Sequence, residues 1–314
     1  MTVPTNTDLA RDVPLGLRAE HDWIVQLCQD ASVEMTFHDT ARLRDAGTLL
    51  PAGSRIFISH LPRQQWEQTV EAAVEVSQCG LKPVPHIPAR QLSGARELDQ
   101  LLEQLVRRAA VTQVLLIAGD RPQPAGPFSA SSEVLRTGLL EQHGISRVSL
   151  AGHPEGHPQV GTDVLRASEE EKIRYAEERG FEAGFITQFT FDSSPIIEWV
   201  RGLRARGISN GVRLGLAGPA RLSTLLKYAV HCGVGPSIRA LSSRRASFGR
   251  LLGDRGPEAL VCELARARSE GLDIEGIHLF SFGGLLRTCR WVQAVGQGRF
   301  TLDDAHGFIV GETG

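Results

Sequence analysis

Short apolar runs alternate with stretches of helical spacing along nearly the whole chain, and that alternation restricts the fold more than any other feature. Eight runs read as strands: Val33–Phe37, Arg55–His60, Lys82–Pro88, Gln113–Gly119, Arg147–His153, Ala183–Phe189, Gly211–Gly218 and Gly276–Phe282. Their near-continuous hydrophobicity suits parallel strands buried on both faces. The amphipathic segments between them include Gln64–Ser77, Ala95–Ala109, Ser131–His143, Glu169–Arg179, Pro195–Arg206 and Arg221–His231, and these read as crossover helices. Strict alternation over eight units predicts an α/β fold, a (β/α)8 TIM barrel. A doubly wound sheet usually shows fewer strands and a glycine-rich first turn, and no G-x-G-x-x-G follows the first run.

Leu15–Gln29 reads as an extra helix ahead of the barrel, and the polar Met1–Asp12 as a flexible tail. Between strands seven and eight there is room for three helices, Arg221–Cys232, Ser237–Leu252 and Pro257–Ser269, divided by Gly235-Pro236 and Gly256-Pro257. No repeat or long linker divides the 314 residues, so a single barrel domain over 1–314 is expected.

The net charge of -2, with both signs scattered, lacks the basic stripe that a phosphate backbone demands, so nucleic acid is not expected as a partner. No apolar stretch reaches membrane-spanning length and the N-terminus is no secretion signal; the expected location is cytoplasmic, away from membranes. The five cysteines lack C-x-x-C spacing and read as reduced, mostly buried thiols. Barrels of this type also pair through outer helices, and homo-oligomerisation stays open at this level.

Chemistry in such a barrel sits at the carboxyl ends of the strands. Collected there are Glu34, Ser59 and His60, His86, Asp120, His153 and His157, and Gln188 and Asp192. Glu34 lies between apolar residues, so it must be paired, or neutral with a raised pKa, or facing a wet cavity; the last two suit a general acid. His153 and His157 have a metal pair's spacing, but Pro154 and Pro158 oppose the helix that would put both on one face, so no metal is expected. Asp192 suits an N-cap for the helix near Pro195.

The loops His153-Pro154-Glu155-Gly156-His157-Pro158 and Ile186-Thr187-Gln188-Phe189-Thr190-Phe191-Asp192, with Gly119-Asp120-Arg121-Pro122, together resemble the methylenetetrahydrofolate reductase family. The resemblance spans Glu34 to Phe282 and is strongest in the middle. It implies that Glu34 is the acid, that Asp120 lies beside flavin and pterin, and that Gln188 reads the pterin's mixed donors and acceptors. It places Ser59, His86, Gly119, Asp120, Phe128, Ser129, His153, His157 and Lys172 on the cofactor side, and Phe280 on the substrate side. Departures are visible: Ala118 replaces the family's arginine, His153 a tyrosine, Leu222 a phenylalanine that stacks nicotinamide, and Phe280-Ser281-Phe282-Gly283-Gly284 the final Tyr-Thr-Leu-Asn-Arg. The family's basic residues toward the cofactor's diphosphate meet Ala176, Glu177 and Glu178 here, with Lys172 and Arg174 earlier.

The expectation from this resemblance is interconversion of 5,10-methylenetetrahydrofolate and 5-methyltetrahydrofolate by hydride transfer through FAD, with NADH or NADPH as electron source. Two alternatives stand beside it. Hydride passes directly from nicotinamide without flavin, or the barrel keeps a pterin pocket as a non-catalytic folate-binding protein.

Overall fold

Strands that bury both faces need neighbours on both edges and helices outside, and a closed ring meets both demands. In the computed structural model, which describes residues 15–231, 254–303 and 307–311, the ring is formed. Its strands are β1 (Ser32–Thr36), β2 (Arg55–Ser59), β3 (Lys82–Pro88), β4 (Gln113–Ile117), β5 (Arg147–Gly152), β6 (Glu182–Thr187), β7 (Gly211–Ala217) and, after the two-residue β8 (Ala220–Arg221) and β9 (Asp254–Arg255), β10 (Gly276–Phe280). The order β1-β10-β7-β6-β5-β4-β3-β2 closes, and all its neighbours are parallel. The (β/α)8 barrel expected from the alternation is therefore present, and every strand's carboxyl end lies on one rim.

Helix α1 (Leu15–Gln29) precedes β1 as expected, followed by α2 (Thr40–Gly47), α3 (Trp66–Gln78) and α4 (Ala95–Ala109). In α4 the buried Leu98, Leu101, Leu102, Leu105 and Ala109 recur at helical spacing, and Ala110 ends it in the left-handed region. The segment Ser131–His143 is not one helix. It divides into α5 (Ser131–Leu135) and α6 (Leu139–Gln142) because Gly138 adopts φ +74°, while the Thr137 hydroxyl accepts from Leu139 N–H. Helix α7 (Thr162–Glu178) starts well before the expected Glu169. Helix α8 (Ser193–Ala205) is capped by Asp192, whose carboxylate accepts from Ser194 N–H at 3.0 Å.

Helix α9 (Leu222–His231) follows β8, which pairs antiparallel with β9 beyond the end of β7. Of the expected insertion helices the third is present as α10 (Glu258–Ser269); Ser237–Leu252, like Cys232 and the tail Met1–Asp12, lies outside the described residues. After β10 come α11 (Leu285–Gly296) and a hairpin, β11 (Phe300–Asp303) with β12 (Gly307–Val310), whose Phe308 is buried against Phe300 and Trp291. Cys28, Cys262 and Cys289 are buried free thiols that burial pushes up, to about 12 for Cys262 and Cys289. No helix among the described residues is long and apolar enough to cross a membrane.

Inside the ring, side chains stack in levels. At the amino ends, Arg213 is 2% exposed and binds the Asp30 carbonyl and carboxylate and the Glu275 carboxylate, each at 2.6 Å, while Arg55 reaches the same two acids at 2.8 and 3.3 Å. A cleft of about 400 Å³ opens on this floor beside Lys82, Gln113 and Arg147. Above lies an apolar plug of Phe57, Val84, Leu115 and Ile186. Burying side chains of this size contributes about 1.5–3 kcal/mol each, and the plug separates the ionic floor from the opposite mouth.

Candidate functional site

The alternation of side chains along a strand turns Ser32 and Glu34 of β1, Phe57 and Ser59 of β2, His86 of β3 and His278 of β10 into the barrel. Glu34 is the hub of the upper level. Its Oε1 accepts from the Ser59 hydroxyl at 2.6 Å, and its Oε2 faces His278 Nε2 at 3.5 Å and His86 Nε2 at 3.4 Å. His278 is fully buried, its Nδ1 sits 2.9 Å from the Ser32 hydroxyl, and its ring lies edge-on to Phe57 and Phe280 at 4.7 and 4.9 Å. Two imidazoles and a hydroxyl therefore converge on one carboxylate that keeps 15% of its side chain exposed.

Of the three states open to Glu34, the structure adopts the paired one. Burial alone would push its carboxyl up; His86 and His278, with the Ser59 hydrogen bond, outweigh burial and hold it below the usual carboxylate range. The raised pKa that would suit a resting general acid is not found. Burial pushes His86 down and the Glu34 carboxylate only partly offsets this; its Nε2 is buried without a hydrogen bond. Near neutral pH the cup thus holds a carboxylate beside a neutral His86.

The other residues stand around the same rim in different surroundings. Asp120 is exposed on the loop after β4, behind Gly119, whose φ is +86° and where a Cβ would stand 2.9 Å from Pro88 Cβ. Gln188 follows β6, is half-buried, and donates its backbone N–H to Gly152 O at 2.9 Å. Phe280 joins an aromatic wall with Phe189 and Phe282 at 5.5 and 6.1 Å, and Tyr228 rests on Phe282 at 4.5 Å. Phe282 is held at φ +47°, a costly conformation for a bulky residue.

After β5, His153 and His157 meet edge to face at 5.5 Å, and the bridge between His157 and Val160 folds their loop back without a helix. Burial, aided by His157 and Lys172, pushes His153 down to about 4. Lys172 is itself buried, and burial lowers it against the pull of Glu169. Glu169 in turn accepts from Trp199 Nε1 at 3.0 Å and Arg206 at 2.6 Å. His60 leaves the mouth: its ring stacks on Trp66 at 3.8 Å and its Nδ1 meets the Thr69 hydroxyl at 2.8 Å.

Glu34, Ser59 and His86 are thus brought into contact, and Asp120, Gln188, His153, His157 and Phe280 share their rim. Phe128 does not line an open surface; it packs in the hydrophobic core at 8% exposure. Ser129 is exposed, its N–H spent on Glu133. His278 is the residue that strand-end reasoning missed. A histidine in mid-strand reads as core, and its only signal was the shared inward phase with Gly276 and Phe280. Among the described residues no group of three or more His, Cys, Asp or Glu is arranged to hold a metal ion.

FAD, which the resemblance implies, is poorly matched at its diphosphate end. Helix α7 turns Lys172 inward and surrounds its two exposed arginines, Arg166 and Arg174, with Glu170, Glu171, Glu177 and Glu178, Glu171 being bridged to Arg136. Phe128 is committed to the core, and Ala118 brings no charge.

No protein-family model matches the chain. Among solved structures it is similar to a conserved protein of unknown function from Enterococcus faecalis, at 11% identity and a TM-score of 0.36, over 60% of this chain and 49% of that one. The chain spans about half the length of that neighbour, and the likeness carries no functional argument.

Proposed function

We propose that this barrel interconverts 5,10-methylenetetrahydrofolate and 5-methyltetrahydrofolate, with NADH or NADPH as the electron partner. The observation that carries the reading is the carboxylate of Glu34 gripped by Ser59, His86 and His278 at the carboxyl-end mouth, on the rim that also bears Asp120 and Gln188. In the reductive direction a proton opens the five-membered ring at its N10 nitrogen, leaving an iminium. A hydride then adds to the one-carbon unit, and the nicotinamide is oxidised. In reverse, N10 loses its proton as the ring closes. A carboxylate among two imidazoles serves both directions: it accepts the proton in one and, once protonated through a histidine, returns it in the other. Asp120 and Gln188 would orient the pterin, since alignment dominates the barrier to hydride transfer.

FAD supplies hydride relay when bound, and the family resemblance favours it. A second reading, direct transfer from the nicotinamide, is favoured by the inward Lys172 and its acidic neighbours on α7. The test is anaerobic incubation with 5,10-methylenetetrahydrofolate and each dinucleotide, with 5-methyltetrahydrofolate read by mass spectrometry. Formation of the product supports the proposal. Binding without turnover under either donor favours the folate-binding alternative, and a yellow protein absorbing near 450 nm, as flavin does, selects the FAD reading.

A further inference from the structure

Asp120 stands on a long loop between β4 and α5, and what fixes that loop is a residue from the turn that follows the neighbouring strand β3. Arg90 lies in the single 3-10 turn after β3 (Ala89–Gln91). Its guanidinium donates from all three nitrogens to three carbonyls of the loop: Nε to Arg121 O at 2.6 Å, one terminal nitrogen to Pro122 O at 2.5 Å and the other to Ser129 O at 3.3 Å. Its own backbone joins in, the N–H donating to Ala118 O and the carbonyl accepting from Ala125 N–H, each at 2.9 Å. Gly126 completes the seam. A Cβ there would stand 2.3 Å from Ser93 O, so loop and turn meet backbone to backbone.

Arg90 therefore spans both sides of Asp120: Ala118 before it, Arg121 and Pro122 directly after it, and Ser129 at the far end of the loop. A planar fork of fixed donors can hold three carbonyls at once, whereas an ammonium on a flexible stem acts as a point charge.

We propose that Arg90 is the positioning residue for Asp120, setting where that carboxylate meets a bound ligand; this rests on the reading of Asp120 as a ligand-facing group. The variants are Arg90→Ala, Arg90→Lys, Asp120→Asn and the double Arg90→Ala/Asp120→Asn. Each is measured for 5-methyltetrahydrofolate affinity, for kcat and KM, for melting temperature and for hydrogen exchange of the loop amides. Misplacing a ligand-holding group by about an ångström costs up to about 100-fold in rate, so Arg90→Ala and Arg90→Lys should each lose between about 10- and 100-fold in kcat/KM at nearly unchanged melting temperature. Exchange should quicken only between residues 118 and 130. The double variant should be no worse than Asp120→Asn alone, because Arg90 acts through Asp120.

Additive losses, full activity in Arg90→Lys, or unchanged exchange in the loop would overturn the proposal. A wild-type protein that binds no reduced folate would instead overturn the functional reading, and Asp120's role with it. The exchange data would still decide whether Arg90 clamps the loop.

Discussion

Replacing Arg213 by Met tests whether the barrel's two ends do different work. The side chain is 2% exposed and makes three contacts of 2.6 Å, with the Asp30 carbonyl, the Asp30 carboxylate and the Glu275 carboxylate. Breaking a fully buried ion pair by removing one partner costs about 3–5 kcal/mol, whereas an exposed pair is worth about 0–1 kcal/mol. This cluster falls between. Asp30 and Glu275 keep 72% and 42% exposure and retain Arg55, so neither becomes an orphaned buried charge. Methionine also fills most of the vacated volume with apolar surface. The expected loss is about 2–3 kcal/mol, read by urea denaturation at pH 7.

The loss should depend on pH in a defined sense. Burial alone would push the Glu275 carboxyl up, but Arg213 and Arg55 outweigh it and hold the group below its ordinary value. A depressed carboxylate contributes stability above its unfolded pKa, about 4.3, and that contribution fades as pH falls through the folded value. The gap between wild type and variant should therefore narrow below about pH 4. Because the plug of Phe57, Val84, Leu115 and Ile186 lies between floor and mouth, ligand affinity at 25 °C should be unchanged. A loss below about 0.5 kcal/mol, the range of ordinary surface changes, would refute the energetic reasoning, and a matching collapse in ligand affinity would refute the separation of the two ends.

Two further outcomes are expected. Gly152→Ala should cost about 1–3 kcal/mol and shift tryptophan fluorescence, because the new Cβ would meet Trp199 Cη2 at 2.6 Å; unchanged melting and emission would count against the packing described at the end of β5. His60 is pushed by burial down to about 4, so it contributes stability that is fully present above its unfolded pKa of about 6.5, falls progressively below that pH and is gone once pH has dropped through 4. Between pH 7.5 and 5 wild type should therefore lose about 1–2 kcal/mol more than His60→Gln, and parallel pH profiles would contradict this.

The barrel was legible because eight short, mostly apolar runs alternate strictly with stretches of helical spacing, the pattern of parallel strands covered by helices. Helix limits were less so. In Ser131–His143 the apolar spacing runs on through Gly138, and only the backbone reveals the break. The first turns of α7 are exposed and carry no apolar period, which hid its start. Within the site, Glu34 was legible as a lone carboxylate between apolar residues, and His86 through the family resemblance. His278 was not, since an inward histidine in mid-strand has the sequence appearance of core. Arg90 was hidden for another reason: its partners are carbonyls, which have no side-chain signature. Phe128 went the other way, because an aromatic residue in a loop reads equally as lining or as core, and packing decided for core.

The central claim, that Glu34 handles the proton of a folate ring opening, is tested most directly by Glu34→Gln. The amide keeps the shape and an acceptor for Ser59 but cannot carry the proton. With wild type turning over 5,10-methylenetetrahydrofolate, the variant should bind reduced folate with similar affinity and form 5-methyltetrahydrofolate about 10²–10⁴-fold more slowly. Turnover within a few-fold of wild type, at equal binding, would contradict the account.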